Sequence, residues 1–132
     1  MSDTNRADLR QLSSDLRKLH KLLIECQSRV FGAVGTPFDH LQLVTNHPDF
    51  AWLRMLSEFM VEVDERLDEE AAPTDQELGA FKATLEQLIG PAPASRPEFR
   101  EKYLAALHDS PELTIQHGAV RLALGRLERR AA

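Results

Sequence analysis

The sequence has few of the residues that mark secreted, zinc-binding or membrane-spanning proteins. It holds one cysteine, Cys26, which cannot form an internal disulfide, and no cluster of cysteine and histidine has zinc-ligand spacing. Its uncharged apolar runs are only a few residues long, whereas a spanning helix needs about 20 residues. Its first residues are polar and lack the apolar segment of a secretory signal. We therefore expect a soluble, cytoplasmic protein that does not enter a membrane.

Basic charge is also in short supply, because the chain has a formal net charge of -5 at pH 7. Proteins that bind nucleic acid owe much of their affinity to Lys and Arg side chains that neutralise phosphates. An acidic chain has no such excess. We expect no nucleic-acid partner.

Sequence motifs of the common enzyme classes are missing. No glutamate stands three residues before any of the five histidines, so the Glu-x-x-His pairs of di-iron bundles are absent. The His-Glu-x-x-His zinc motif, the Gly-x-Ser-x-Gly nucleophile turn, the phosphate loop and the dinucleotide fingerprint are absent as well. Cys26 is expected to pack as a small apolar side chain. We expect no cofactor, and we favour a protein that is not an enzyme.

The chain that remains has the size and composition of one globular domain. It is 132 residues long and 42% hydrophobic, and we treat residues 1–132 as a single domain. At this length a folded chain buries roughly two-thirds of its unfolded surface, which suffices for a core without disulfides or metals. No segment shows the sustained alternation of apolar and polar residues that is typical of strands.

Apolar residues instead follow helical spacing, most clearly over residues 3–31. Steps of three and four residues form a heptad stripe there, which consists of Leu9, Leu12, Leu16, Leu19, Leu23, Cys26 and Val30. Similar stripes recur in the segments that follow. One of them is Leu113, His117, Val120, Leu124 and Leu127 at the carboxyl end.

Helix starts are marked by capping residues and prolines. Thr36 precedes Pro37, Thr74 and Glu77 form a capping box, and Ser95 and Glu98 form a second one. The Ser110-Pro111 pair predicts either a kink or a new helix. We predict an all-α fold, an antiparallel helical bundle of four long helices plus one or two short ones.

Acidic residues concentrate in one segment, which we call the acidic run: Glu62, Asp64, Glu65, Asp68, Glu69 and Glu70, with Arg66 among them. We favour a solvated face beside the basic first and last helices. The alternative is an acidic docking patch or a cation site. A second copy of the chain, with its basic last helix against this run, would make a homodimer.

Two histidines fall at or beside apolar stripes, where a polar group needs a partner. His117 takes a core position on the last helix, and His20 lies next to the first stripe. We favour a structural role, either a hydrogen bond with an acid such as Asp64 or simply a position at the core boundary, in which case His117→Leu would stabilise the fold. The alternative is an interior ligand or metal site formed by His20, His117, Asp64 and Glu62.

The segment from His47 to Leu53 is the most distinctive in aromatic content. We favour an anchor that starts a helix, with Phe50 and Trp52 packed on neighbouring helices. The alternative is an exposed partner surface formed by His47, Phe50 and Trp52. Tyr103 is expected at the core boundary, with its hydroxyl in water.

These observations favour a non-enzymatic interaction or regulatory module that binds a protein partner or self-associates into a homodimer. The alternative is a bundle that binds a small ligand or metal through interior histidine and acidic residues. An enzyme assembled from scattered acids and histidines is a third reading that the sequence leaves open.

Overall fold

The computed structural model describes residues 2–29, 36–46, 48–90 and 97–131, which fold into helices joined by turns with no strand among them. The all-α prediction is confirmed. The elements in chain order are α1 (Ser2–Ser28), α2 (Pro37–Asn46), a 3₁₀ helix (Pro48–Leu53), α3 (Arg54–Leu67), α4 (Asp75–Ile89), α5 (Pro97–Asp109) and α6 (Pro111–Ala131). Within the described ranges, no helix combines the length and apolarity needed to cross a bilayer.

The heptad stripe of α1 forms the centre of the core. Its leucines are 0% exposed: Leu9, Leu12, Leu16, Leu19 and Leu23. Cys26 is half-buried, and Val30 lies outside the described residues. This helix packs most extensively on α6 and next on α3, while α4 also packs on α6. The stripe works because steps of three and four residues keep one side of a helix facing its neighbours.

Polar contacts define the direction in which α3 passes α1. Ser13 of α1 donates a hydrogen bond to Asp64 of α3. Further along α1, His20 is hydrogen-bonded to Ser57 of α3. Partner numbers on α3 fall as those on α1 rise, so these two helices run antiparallel. In the 3₁₀ helix that precedes α3, the indole N–H of Trp52 donates to Gln27 near the end of α1.

The sequence correctly marks the start of α4. Thr74 accepts a hydrogen bond from the Glu77 backbone at 3.1 Å, and the Glu77 carboxylate accepts one from the Thr74 backbone at 3.0 Å. Thr36 and Asp39 make the same reciprocal pair before α2. Both pairs satisfy backbone N–H groups that have no partner within the helix. The second predicted box includes Ser95, which lies outside the described residues.

The Ser110-Pro111 junction separates two helices rather than kinking one. Ser110 is buried, and its hydroxyl accepts a hydrogen bond from the Leu113 backbone at 3.3 Å, so it caps the start of α6. Pro111 suits the first helical position because it has no N–H to satisfy. The described part of the chain thus has five α-helices of 13 residues or more, and one of ten.

Arginines from other helices cap two carboxyl ends. Arg6 of α1 donates to the carbonyls of Leu67, Glu69 and Glu70 at the end of α3. Arg100 of α5 donates to three carbonyls at the end of α4, those of Glu86, Gln87 and Leu88. Cations suit these positions, because the last carbonyls of a helix carry partial negative charge and lack partners within it.

Candidate functional site

The four candidates for an interior ligand site occupy separate environments. His20 Nε2 lies 2.7 Å from the hydroxyl of Ser57, and that hydroxyl donates to the Leu53 carbonyl at 3.2 Å. The hydroxyl therefore has a lone pair free to accept from the imidazole. Burial lowers the pKa of His20, which favours a neutral ring. This histidine is held as a structural bridge from α1 to α3.

Asp64 makes its contacts with α1 and not with either histidine. Its Oδ1 accepts a hydrogen bond from the Ser13 hydroxyl at 2.7 Å, and its Oδ2 pairs with Arg17 at 3.1 Å. Glu62 is exposed and lines an open cavity of about 300 Å³ between α3 and α4. Within the described ranges, no group of three or more His, Cys, Asp or Glu side chains is placed to hold a metal ion.

His117 has a partner that the sequence does not suggest. Its Nδ1 lies 2.6 Å from the hydroxyl of Tyr103, and the whole Tyr103 residue is 0% exposed. The expectation that this hydroxyl meets water is wrong, because α5 turns Tyr103 inward against α6. The sequence does contain a signal for the burial of Tyr103, because this residue follows Phe99 by four positions on the apolar stripe of α5.

Tyr103 belongs to a row of rings through this side of the molecule. Its ring centroid is 5.8 Å from that of Phe99, and Phe99 lies 5.2 Å from Trp52. His117 closes the row at 5.5 Å from Tyr103. Spacings of this size are favourable for aromatic pairs. The row therefore joins the 3₁₀ helix, α5 and α6.

Phe50 does not form the exposed partner surface that was the alternative interpretation of the 3₁₀ helix, because its side chain is 4% exposed. Trp52 is half-buried, and its indole N–H donates to Gln27 at 3.2 Å. His47 lies outside the described residues. The anchor interpretation therefore describes the placement of Phe50 and Trp52 better than the surface interpretation.

An open cavity of about 440 Å³ lies beside the exposed edge of Trp52. The half-buried Cys26 lines it, as do the oppositely charged Lys102 and Asp109 of α5. Arg29 adds a second positive charge to the lining. An indole, a thiol and charges of both signs can contact a small amphipathic molecule. A concave surface with this mixture of groups is a candidate binding site for such a molecule.

The acidic run meets basic residues of its own chain. Arg17 pairs with Asp64, and Arg6 donates to backbone carbonyls at the end of the run. Arg66 binds both carboxylate oxygens of Glu77, at 2.6 Å and 2.9 Å. From the last helix, Arg121 pairs with Glu86 of α4 at 2.9 Å. The first helix thus supplies the complement that we expected, while Arg121 of the last helix is engaged elsewhere.

Large apolar side chains are exposed on the outward face of α6. Ile115 is 76% exposed and Leu122 is 72% exposed, the highest values among the described large apolar residues. The other exposed large apolar residues lie on other helices: Phe38, Leu41, Val61 and Leu104. The sequence shows this signal as two apolar residues seven positions apart. It is easily missed, because the buried stripe from Leu113 to Leu127 already accounts for α6 as an amphipathic helix.

No protein-family model, curated protein or solved structure matches this chain.

Proposed function

We propose that this chain is a non-enzymatic interaction module, an antiparallel helical bundle that binds a protein partner through the outward face of α6. The exposure of Ile115 and Leu122 on one helix face carries the proposal. Two large apolar side chains one heptad apart are the anchors with which a helix binds another helix. The acidic composition and lone cysteine support a cytoplasmic setting.

The use made of the polar side chains supports a binding role over a catalytic one. His20, Asp64 and His117 each bond a neighbouring helix, and burial lowers the pKa of both histidines. A general acid or base must reach a substrate and titrate near the working pH. These groups serve helix packing instead.

Photo-crosslinking tests the proposal in cells that express the chain. A benzophenone amino acid placed at Leu122 reports any protein on the α6 face. The matched control places it at Lys21, an exposed position on α1. We expect a discrete crosslinked species from position 122 that position 21 does not give. Equal patterns from both positions, or none from 122, would contradict the proposal.

A small-ligand function is the second candidate, and the cavity beside Trp52 favours it. Trp52 is the one tryptophan of the chain, so its fluorescence reports directly on this cavity. Amphipathic metabolites can be screened one by one, and any that binds in the cavity should shift the emission of Trp52. A matched Lys102→Ala variant should weaken that shift, because Lys102 lines the cavity.

A further inference from the structure

The outward face of α6 alternates large and small residues with heptad spacing. We call Ile115, Gly118, Leu122 and Gly125 the α6 seam. Its large members are exposed, and a Cβ added at either glycine would meet no described atom within 4 Å. The seam therefore presents two apolar projections and two open positions, in regular order along one side of the helix.

We propose that the seam binds the same seam of a second copy, with the two α6 helices antiparallel about a two-fold axis at the level of Val120. The proposal rests on the proposed function and names its partner. In this register Leu122 faces Gly118 of the partner subunit, and Ile115 faces Gly125 of the partner subunit. Each large side chain thereby meets an open position. A two-fold axis repeats every contact, so one patch serves both copies.

The charges beside the seam match this arrangement. Glu112 and Arg126 are both exposed and lie on the same edge of the seam. Across an antiparallel pair, this edge of one helix meets the same edge of the other. Glu112 therefore faces Arg126 of the partner subunit, and the two-fold axis makes a second, identical pair. Charges beside a helix seam set partner orientation in this way.

A small, uncharged residue also lies where the two copies approach closely. Ala119 lies on the Glu112 edge beside the axis, and there it meets Ala119 of the partner subunit. Arg121 lies on the opposite edge, where two like charges would approach. Each Arg121 is already paired with Glu86 of its own chain at 2.9 Å, which offsets the repulsion.

A parallel pairing fits the same residues poorly. It would place Ile115 against its own copy and leave the two Gly118 positions facing each other across a gap. It would also bring Arg121 near Arg126 of the partner subunit, and like charges at these flanking positions disfavour assembly. The antiparallel register is therefore the one that the seam selects.

Charge reversal tests the register in the purified full chain. We expect sedimentation velocity to show a concentration-dependent dimer. Glu112→Arg and Arg126→Glu should each raise its dissociation constant by about tenfold, since each converts two attractive pairs into two repulsive ones. The double variant should return the constant towards that of the unmodified chain. Glu101→Arg, at an exposed position of α5, makes the same change in net charge as Glu112→Arg and should have little effect.

Cysteine crosslinking tests the axis independently of affinity. On a Cys26→Ser background, Ala119→Cys should give a disulfide-linked dimer under mild oxidation, because the two copies of this residue meet at the axis. Lys21→Cys, exposed on α1, should give little. A chain that is monomeric at all concentrations, or a double charge variant that stays as weak as the single ones, would overturn the proposal.

The photo-crosslinking result separates this proposal from the broader one. If position 122 crosslinks to a different protein while the purified chain stays monomeric, the interaction module stands and the self-pairing seam fails. If position 122 crosslinks to nothing and the chain is monomeric, both fail. A crosslink to the same chain, with charge rescue, supports both.

Discussion

The hydroxyl of Tyr103 and Nδ1 of His117 lie 2.6 Å apart and join α5 to α6. Burial raises the pKa of Tyr103 far above its usual value. Burial also lowers the pKa of His117, and the nearby charge of Arg121 lowers it further. Both groups are therefore neutral near pH 7, and the hydroxyl can donate to the imidazole nitrogen. The pair acts as a polar link within an apolar interface.

Tyr103→Phe should lower the free energy of unfolding by about 1–2 kcal/mol, because it leaves the nitrogen of His117 without its partner. Urea denaturation at pH 7.5 measures the change. His117→Leu alone should also destabilise the fold, since it strands a fully buried hydroxyl. This reverses the stabilisation that the sequence suggests for that substitution. The Tyr103→Phe/His117→Leu double variant should lose less unfolding free energy than the sum of the two single losses. Strict additivity would mean that the hydrogen bond contributes nothing.

Stability should fall as the pH drops below about 6.5, where an unfolded histidine takes up a proton. The folded pKa values of His20 and His117 are lowered by burial, so the unfolded chain binds more protons in this range. The free energy of unfolding then rises with pH and levels off above 6.5. Urea denaturation from pH 7.5 to pH 5 should show this slope. A His20→Gln/His117→Gln variant should flatten it.

His108 provides the control for this measurement, because it is exposed at the end of α5. His108→Gln should leave the slope in place. If it flattens the slope as much as the double variant does, the two half-buried histidines are not its source.

Glu77 should govern a second, more acidic transition. Its hydrogen bond with Arg66 is the largest cause that lowers its pKa, to about 2, and the Thr74 backbone contributes as well. A lowered carboxyl pKa contributes stability that is full above the unfolded value near 4.5 and is lost as the pH falls towards 2. Glu77→Gln should therefore lower the urea midpoint at pH 7, and the difference from the unmodified chain should shrink towards pH 2.

The matched control is Glu65→Gln, at an exposed position of α3. This variant should keep both the neutral midpoint and the acid transition. A Glu77→Gln chain whose deficit is the same at pH 2 and pH 7 would show that the ion pair has no pH-linked role.

The sequence predicts what depends on local spacing and misses what depends on how helices turn towards each other. The stripe of α1 and the box of Thr74 and Glu77 are visible because each involves residues a few positions apart. The link between Tyr103 and His117 is not visible, because it depends on the angle at which α5 returns onto α6. The same limit explains the separation of His20 from His117, which lie on suitable faces but point to different neighbours. The exposure of Ile115 also follows only once the neighbours of α6 are known.

Gly90→Ala should destabilise the chain by about 1–3 kcal/mol, a cost typical of overpacking at a buried position. The reason is a close approach, since an added Cβ would lie 2.7 Å from the carbonyl oxygen of Glu86. The backbone of Gly90 is extended, with φ -79° and ψ 175°, so alanine meets no backbone strain there. The same oxygen accepts hydrogen bonds from the Gly90 backbone and from Arg100. Moving it to make room would disturb the capped end of α4.

Gly118→Ala is the opposite case and serves as the control. Its Cβ meets no described atom within 4 Å, and alanine in a helix interior is favoured over glycine by about 0.5–1 kcal/mol. Urea denaturation at low protein concentration should therefore show Gly90→Ala below the unmodified chain and Gly118→Ala above it. Equal shifts in the same direction would mean that the contact with Glu86 is not what makes alanine unfavourable at position 90.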